Sequence, residues 1–304
     1  MTNKMFEYIC RLSQKSLKKF VAKKLKETHD KIIERDGFVY TQGTFPVLLV
    51  AHLDTVYKQL PEKIVYDNAT DTLSSPQGIG GDDRCGVYMV LEVVKKFNCS
   101  VLFCEDEEVG GVGADKFVKS DIAKNLEFNY IIEFDRRGEN DAVFYDCDNK
   151  DFEKFITKEF YKTSWGSFSD ISFIAPSLKC AAVNLSCGYY NAHTKNEFVV
   201  LSEMNESINQ ACKILERTTD KDKFEYIEIR YDKWDLNWDS FGDDKHSLYD
   251  EKCYFIEYYD VVTNKEEWEE IFAHSKVEAV GEFCMSHPDI PYSDIYIYDV
   301  SDTY

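Results

Sequence analysis

The chain has 304 residues, 44% of them apolar and 30% charged, enough for one large domain or two smaller ones with a substantial core. The formal net charge of −20 argues against nucleic acid and anionic membranes as partners, since both require cationic surface. The same surplus of carboxylates suits divalent cations, although much of it also serves as a solubilising surface.

Ten cysteines are scattered without a Cys-x-x-Cys pair, so no structural zinc knuckle is expected. Several lie in apolar runs such as Val101–Cys104 and act there as small core residues. A reduced, cytoplasmic protein is expected. The N-terminus has no apolar signal core and no run is long enough to span a bilayer.

Residues 1–27 predict a single helix, with an apolar stripe of Phe6, Ile9, Leu12, Leu17, Phe20, Val21 and Leu25 opposite lysines. Phe38–Tyr40 predicts a short strand. Phe45–Ala51 is a continuous apolar run of strand length, as in a parallel sheet covered on both faces, and it ends in His52-Leu53-Asp54. In extended backbone His52 and Asp54 point to the same side. Two short strands follow, over Ile64–Tyr66 and Thr72–Leu73. Next come the turn Gly78-Ile79-Gly80-Gly81-Asp82-Asp83 and a helix over 84–96. Taken alone, that turn is ordinary loop chemistry.

Cys99–Cys104 predicts a second buried strand, ending in four consecutive acids, Glu105 to Glu108. Such a run repels itself unless a cation or protonation relieves it. A helix is expected over 114–124. A third strand, Tyr130–Phe134, runs into Asp135, Arg136 and Arg137. A strand over 142–145, a helix near 150–161, a strand over 180–185 and a helix over 201–217 complete the rhythm. Strand–helix alternation predicts an α/β fold, a mixed, mostly parallel central sheet with helices on both faces. In such sheets ligands gather at the carboxyl ends of strands, where His52, Asp54, Asp82, Glu107, Glu108 and Asp135 fall.

From Thr218 the composition turns acidic and rich in Tyr and Trp. Residues 1–217 are therefore read as one domain, carrying the strand-end residues, and 218–304 as an extension, irregular to about 250. Beyond that, a small βαβ-like α+β appendage is expected: strand 254–262, helix 265–287, strand 295–298. His246, His274 and His287 read as ordinary surface or core histidines.

His52-Leu53-Asp54, Gly80-Gly81-Asp82-Asp83-Arg84, Glu107-Glu108-Val109-Gly110, Phe134-Asp135 and Asn191-Ala192-His193 together resemble the co-catalytic zinc exopeptidases. Within these the chain is most similar to the peptidase T, carboxypeptidase G and desuccinylase group, and also to zinc aminopeptidases. The resemblance implies two Zn2+ ions, with Co2+ or Mn2+ as alternatives, on His52, Asp82, Glu108, Asp135 and His193. Asp82 would bridge the ions, and its peptide bond to Asp83 would be cis. Asp54 would orient His52, and Glu107 would act as general base. Peptidase T relatives usually carry a lid domain between the fourth and fifth ligands. Here the span from Asp135 to His193 already supplies core strands and a helix, so a lidless form is expected and dimerisation through a lid is not.

The implied activity is hydrolysis of small peptides, of the aminopeptidase or di- or tripeptidase type. Arg136 and Arg137 offer forks for a substrate carboxylate, or partners for the local acids. One rival reading keeps the zinc pair but hydrolyses N-acyl amino acids. Another is a non-catalytic binding protein on the same fold. Nucleotide binding at the glycine-rich turn is disfavoured, because no lysine follows to meet phosphates.

Overall fold

The computed structural model describes residues 4–166, 168–228, 252–260, 265–273, 279, 283, 287, 290 and 295–299. The chain forms two compact units, residues 1–229 and 230–304. The first unit therefore continues past the break expected at 217. Residues 218–228 pack onto it through the amide of Phe224, which donates to the Asn129 carbonyl, and bridges pairing Cys147 with Glu228 and Cys180 with Glu225.

The single N-terminal helix expected over 1–27 is two, α1 (Lys4–Cys10) and α2 (Gln14–Leu25). Ser13 breaks the run by accepting the amide of Ser16, and the Leu12 carbonyl accepts from Arg84 instead of continuing the helix. Strands β1 (Ile32–Arg35), β2 (Phe38–Thr41) and β3 (Phe45–His52) follow, then the short β4 (Val65–Asp67) and β5 (Thr72–Ser74). Helix α3 (Gly81–Val93) leads to β6 (Cys99–Cys104), α4 (Val112–Val118) and β7 (Tyr130–Arg136). The helix expected to 124 stops at Val118, and a separate 3-10 turn covers Ala123–Asn125.

Strand β8 (Asp141–Val143), α5 (Lys150–Ile156), β9 (Lys162–Ser164) and α6 (Ile171–Leu178) come next. Here the helix expected to 161 ends five residues early, and neither β9 nor α6 is expected from the sequence. Strands β10 (Ala182–Ser186), β11 (Tyr189–Tyr190) and β12 (Phe198–Val200) and helix α7 (Leu201–Arg217) complete the unit.

Eight strands form the main sheet in the order β1-β2-β6-β3-β7-β10-β8-β9. The four central strands, β6, β3, β7 and β10, run parallel, and the flanking β2 and β8 are antiparallel to them. The outermost strands, β1 and β9, have only four and three residues. The mixed α/β sheet covered on both faces is as the sequence predicts.

Side-chain alternation divides the core. Val47, Leu49, Ala51, Ile132 and Phe134 face one cluster with α1, α2, α3, α5 and α7. Leu48, Val50, Leu102 and Ile131 face a second with α4 and α6. Each central strand is thus apolar throughout because each face meets a helix layer. A second, antiparallel sheet, β11-β12-β5-β4, stands beside the first. Cys10, Cys85, Cys99, Cys104, Cys147, Cys180, Cys187 and Cys212 are free and buried. No helix among the described residues is long and apolar enough to cross a membrane.

In the second unit, β13 (Lys252–Asp260) pairs antiparallel with both β14 (Lys265–Ala273) and β15 (Ile295–Asp299). The helix expected from Lys265 is therefore a strand up to Ala273, and the βαβ reading fails. Trp268, Ile271 and Phe272 fall at helical spacing, but nine paired residues of hairpin override local propensity. Ile271 stands opposite Tyr254 and both are buried with Ile256, Ala279 and Phe283. Most of 274–294 lies outside the described residues.

Gly86 marks where α3 meets the sheet most closely. A Cβ there would fall 1.8 Å from the Phe134 carbonyl oxygen and 2.4 Å from Asp83 Oδ1. Gly86→Ala should therefore destabilise the first unit by about 1–3 kcal/mol or more. Urea denaturation followed by far-UV circular dichroism would read this as a lowered midpoint.

Candidate metal centre

The parallel strands deliver polar residues to one end of the sheet. β3 ends at His52, with Asp54 two residues on; β6 ends at Cys104, just before Glu107 and Glu108; β7 carries Asp135. Asp82 sits at the entrance of α3, after Gly80, whose φ of 69° is left-handed. The Asp82–Asp83 peptide is cis, as the resemblance implied, and both residues are non-helical. His193 comes from the loop between β11 and β12 with φ 64°.

These side chains converge in two groups that share Asp82. In one, His52 Nε2 lies 3.0 Å from Asp82 Oδ1 and 3.5 Å from Asp135 Oδ1. In the other, His193 Nε2 lies 3.2 Å from Asp82 Oδ2 and 3.0 Å from Glu108 Oε2. The two oxygens of one carboxylate thus face different imidazoles. In each group the ligand atoms lie within 4.8 Å of one another, the spacing of donors around a single ion. Glu108 Oε1 and His193 Nε2 are buried without a hydrogen bond, so His193 approaches two carboxylates closely yet is not aligned to bond either. Buried polar atoms are rarely left unpaired, and a cation held by this group would satisfy them. Imidazole and carboxylate donors suit zinc and other borderline divalent ions.

Neighbouring groups fix this arrangement. Asp54 faces His52 Nδ1 at 3.2 Å and accepts the amides of Glu107 and Glu108, each at 3.0 Å. One carboxylate thereby sets both the imidazole and the glutamate turn. Asp83 accepts the amides of His52 at 3.1 Å and Gly86 at 2.8 Å. Asp135 is held by Tyr189 Oη at 3.3 Å, by Ser169 Oγ at 3.2 Å and through its own amide by Asn184 at 2.8 Å. Arg84, buried beneath, donates to the carbonyls of Leu53 and Leu12.

Burial and crowding shape the ionisation. Burial pushes the Glu107 carboxyl well up, Asp135, Asp170 and Glu108 push further, and His52 opposes. Burial, chiefly, and Asp82 raise Asp135 to about 6. Burial alone would lower His193, but Asp82 and Glu108 outweigh it and hold the imidazolium to about 11. Burial likewise works against the His52 imidazolium and is overcome by Asp135, Asp54 and Asp82. Burial would raise Asp82, yet the two imidazoles pull it down. The centre holds more carboxylates than its two imidazoles can neutralise, and so favours added positive charge.

The structure thus brings His52, Asp54, Asp82, Glu107, Glu108, Asp135 and His193 together. Arg136 forks onto Asp141 through Nε at 3.3 Å and Nη2 at 3.2 Å, the local pairing that the sequence left open. Arg137 is exposed. Sequence reasoning assigned no role to Glu133, Asp170 or Glu197, all three buried. Glu197 accepts the amides of Gly80 and Asp82. Glu133 accepts from Ser169 Oγ, and Asp170 lies against the Cys104 thiol, its carboxyl raised to about 7 mainly by burial. A signal existed for Glu133, an acid inside an otherwise apolar strand.

Residues 39–168 match the profile of Peptidase family M28. This segment includes His52, Asp82, Glu107, Glu108 and Asp135, while His193 lies beyond it. No curated protein matches the chain. Among solved structures, aminopeptidase PepT from Bacillus cereus is similar at 13% identity and TM-score 0.59, covering 70% of this chain and 96% of that one. A tripeptidase from Staphylococcus aureus is similar at 12% identity and TM-score 0.57, covering 70% and 96%. An aminopeptidase from the archaeon Desulfurococcus kamchatkensis is similar at 16% identity and TM-score 0.56, covering 72% and 95%. At these identities the likeness to the three structures is one of fold.

Asp83→Ala would leave the buried amides of His52 and Gly86 unpaired, at a cost of about 1–3 kcal/mol each. Chemical denaturation of metal-free protein should show the loss; a midpoint equal to that of the parent would mean that water replaces both bonds.

Proposed function

We propose that this chain is a di-zinc exopeptidase acting on small peptides, of the aminopeptidase or di- or tripeptidase type. The observation that carries the reading is the Asp82 carboxylate, with one oxygen toward His52 and the other toward His193. His52, Asp135 and Asp82 would hold one ion; His193, Glu108 and Asp82 would hold the other. A bound pair of divalent ions supplies Lewis acidity toward the scissile carbonyl and eases deprotonation of water. The peptidase family match and the aminopeptidase and tripeptidase structures of the same fold support the substrate class.

Glu107 is the proposed general base. Its Oε2 lies 3.9 Å from His52 Nε2, at the edge of the first group and outside both sets of ligand atoms. Its raised proton affinity suits a group that takes a proton from the attacking water and returns it to the leaving nitrogen. The adjacent Glu108 faces His193 instead. Asp54 holds both amides of the pair and so keeps the two carboxylates on separate tasks.

Four measurements test the proposal. Metal analysis of purified protein should find about two divalent ions per chain, bound as ligand geometry of this kind requires. Chelation should abolish peptide hydrolysis, and Zn2+, Co2+ or Mn2+ should restore it. Glu107→Gln should retain metal yet lose about 100- to 10,000-fold in kcat. Full activity in that variant would remove Glu107 from the role of base. A panel of dipeptides, tripeptides and N-acyl amino acids separates the peptidase from an acylase, and absence of bound metal would favour a binding protein on this fold.

A further inference from the structure

We infer that Glu197 is a positioning residue for the centre, locking the loop that carries His193 to the turn that carries Asp82. The inference rests on the metal-centre reading above and adds a group that touches neither ion nor substrate. Glu197 is fully buried. Its Oε2 accepts the amide of Gly80 at 2.6 Å and its Oε1 the amide of Asp82 at 3.1 Å. One carboxylate therefore spans the backbone on both sides of Gly81, where the chain turns into α3.

Both ends of this clamp are anchored. Glu197 directly precedes β12, which is paired with β5 on one side and β11 on the other. Four residues earlier stands His193, in a loop that folds on itself. Thr194 Oγ1 donates to the Asn191 carbonyl at 2.8 Å, and the amide of Glu197 donates to the Thr194 carbonyl at 3.1 Å. Tyr57 Oη donates to that same carbonyl at 2.6 Å. At the other end, Gly81 leaves little freedom, since a Cβ there would fall 2.7 Å from Tyr189 Cβ and 3.4 Å from Glu197 Oε1.

The consequence is geometric. Asp82 must present one oxygen to each imidazole, and its backbone orientation decides whether it does. Glu197 fixes that orientation from the same loop that delivers the second imidazole. His193 and Asp82 are then placed together or not at all.

Glutamine tests this sharply. It keeps the volume of Glu197 but offers one acceptor and one NH2, so either Gly80 or Asp82 must face a donor. With Zn2+ loaded, Glu197→Gln should weaken metal affinity by about 10- to 100-fold, as loss of a group supporting metal ligands does. It should lower kcat by a comparable factor with KM changed little, and the visible absorption of the Co2+-substituted variant should shift. Glu197→Asp, which retains both oxygens, should recover part of each effect; it also serves as the test if the glutamine variant does not fold. Glu203→Gln, which removes a neighbouring half-buried acid bound by Tyr190, is the charge control. A glutamine variant with parental metal affinity, Co2+ spectrum and kcat would overturn the inference, as would equal effects in Glu203→Gln. Failure of the parent protein itself to bind metal would instead overturn the metal-centre reading.

Discussion

The structure depends on one shared carboxylate. Asp82 faces two imidazoles that reach it from distant parts of the chain, one at the end of a central strand and one from a loop beside the small second sheet. Bringing them together requires the parallel sheet, which places β3, β6 and β7 side by side with their carboxyl ends level. It also requires a helix entrance at which the chain passes through two glycines and two non-helical aspartates. Around this point three acids are tied to backbone amides: Asp54 to those of the glutamate turn, Asp83 to those of His52 and Gly86, and Glu197 to those of the glycine turn.

Much of this was legible in the sequence because buried parallel strands have an unmistakable composition. Phe45–Ala51, Cys99–Cys104 and Tyr130–Phe134 are apolar on both faces, and their ends are abruptly polar. The residues that converge in the structure are those at the ends of these runs, together with the glycine-flanked Asp82 and the isolated His193. Helix α7 was equally clear, since Leu201, Met204, Ile208, Ala211 and Leu215 recur at helical spacing and are buried.

What escaped was decided by contacts distant in sequence. Leu12 continues the apolar stripe of the N-terminal helix, so the split has only the N-cap Ser13 as a local signal and otherwise depends on Arg84 reaching the Leu12 carbonyl. Helix α6 contains Pro176 and few polar residues, so it reads as a loop until it is packed on the sheet. Strand β14 has helical spacing and becomes a strand only by pairing with β13. Asp170 and Glu197 are acids in a chain full of them, and nothing in their immediate neighbours marks them as fully buried. Composition predicts which residues enter the interior on average, whereas a buried acid is an exception set by its surroundings in the fold.

The ends of the main sheet carry a consequence for self-association. The outermost strands β1 and β9 have four and three residues, and Glu34, Arg35, Lys162 and Thr163 on them are exposed. An incoming strand finds only a few backbone groups to pair with, beside charges that resist desolvation. Arg35 offers still less, because its carbonyl already accepts from Lys18. The eight-stranded sheet is thus a layer of fixed width, poorly suited to growth by edge-to-edge stacking. Continuation of this sheet from one copy of the unit into another is therefore disfavoured at both of its ends.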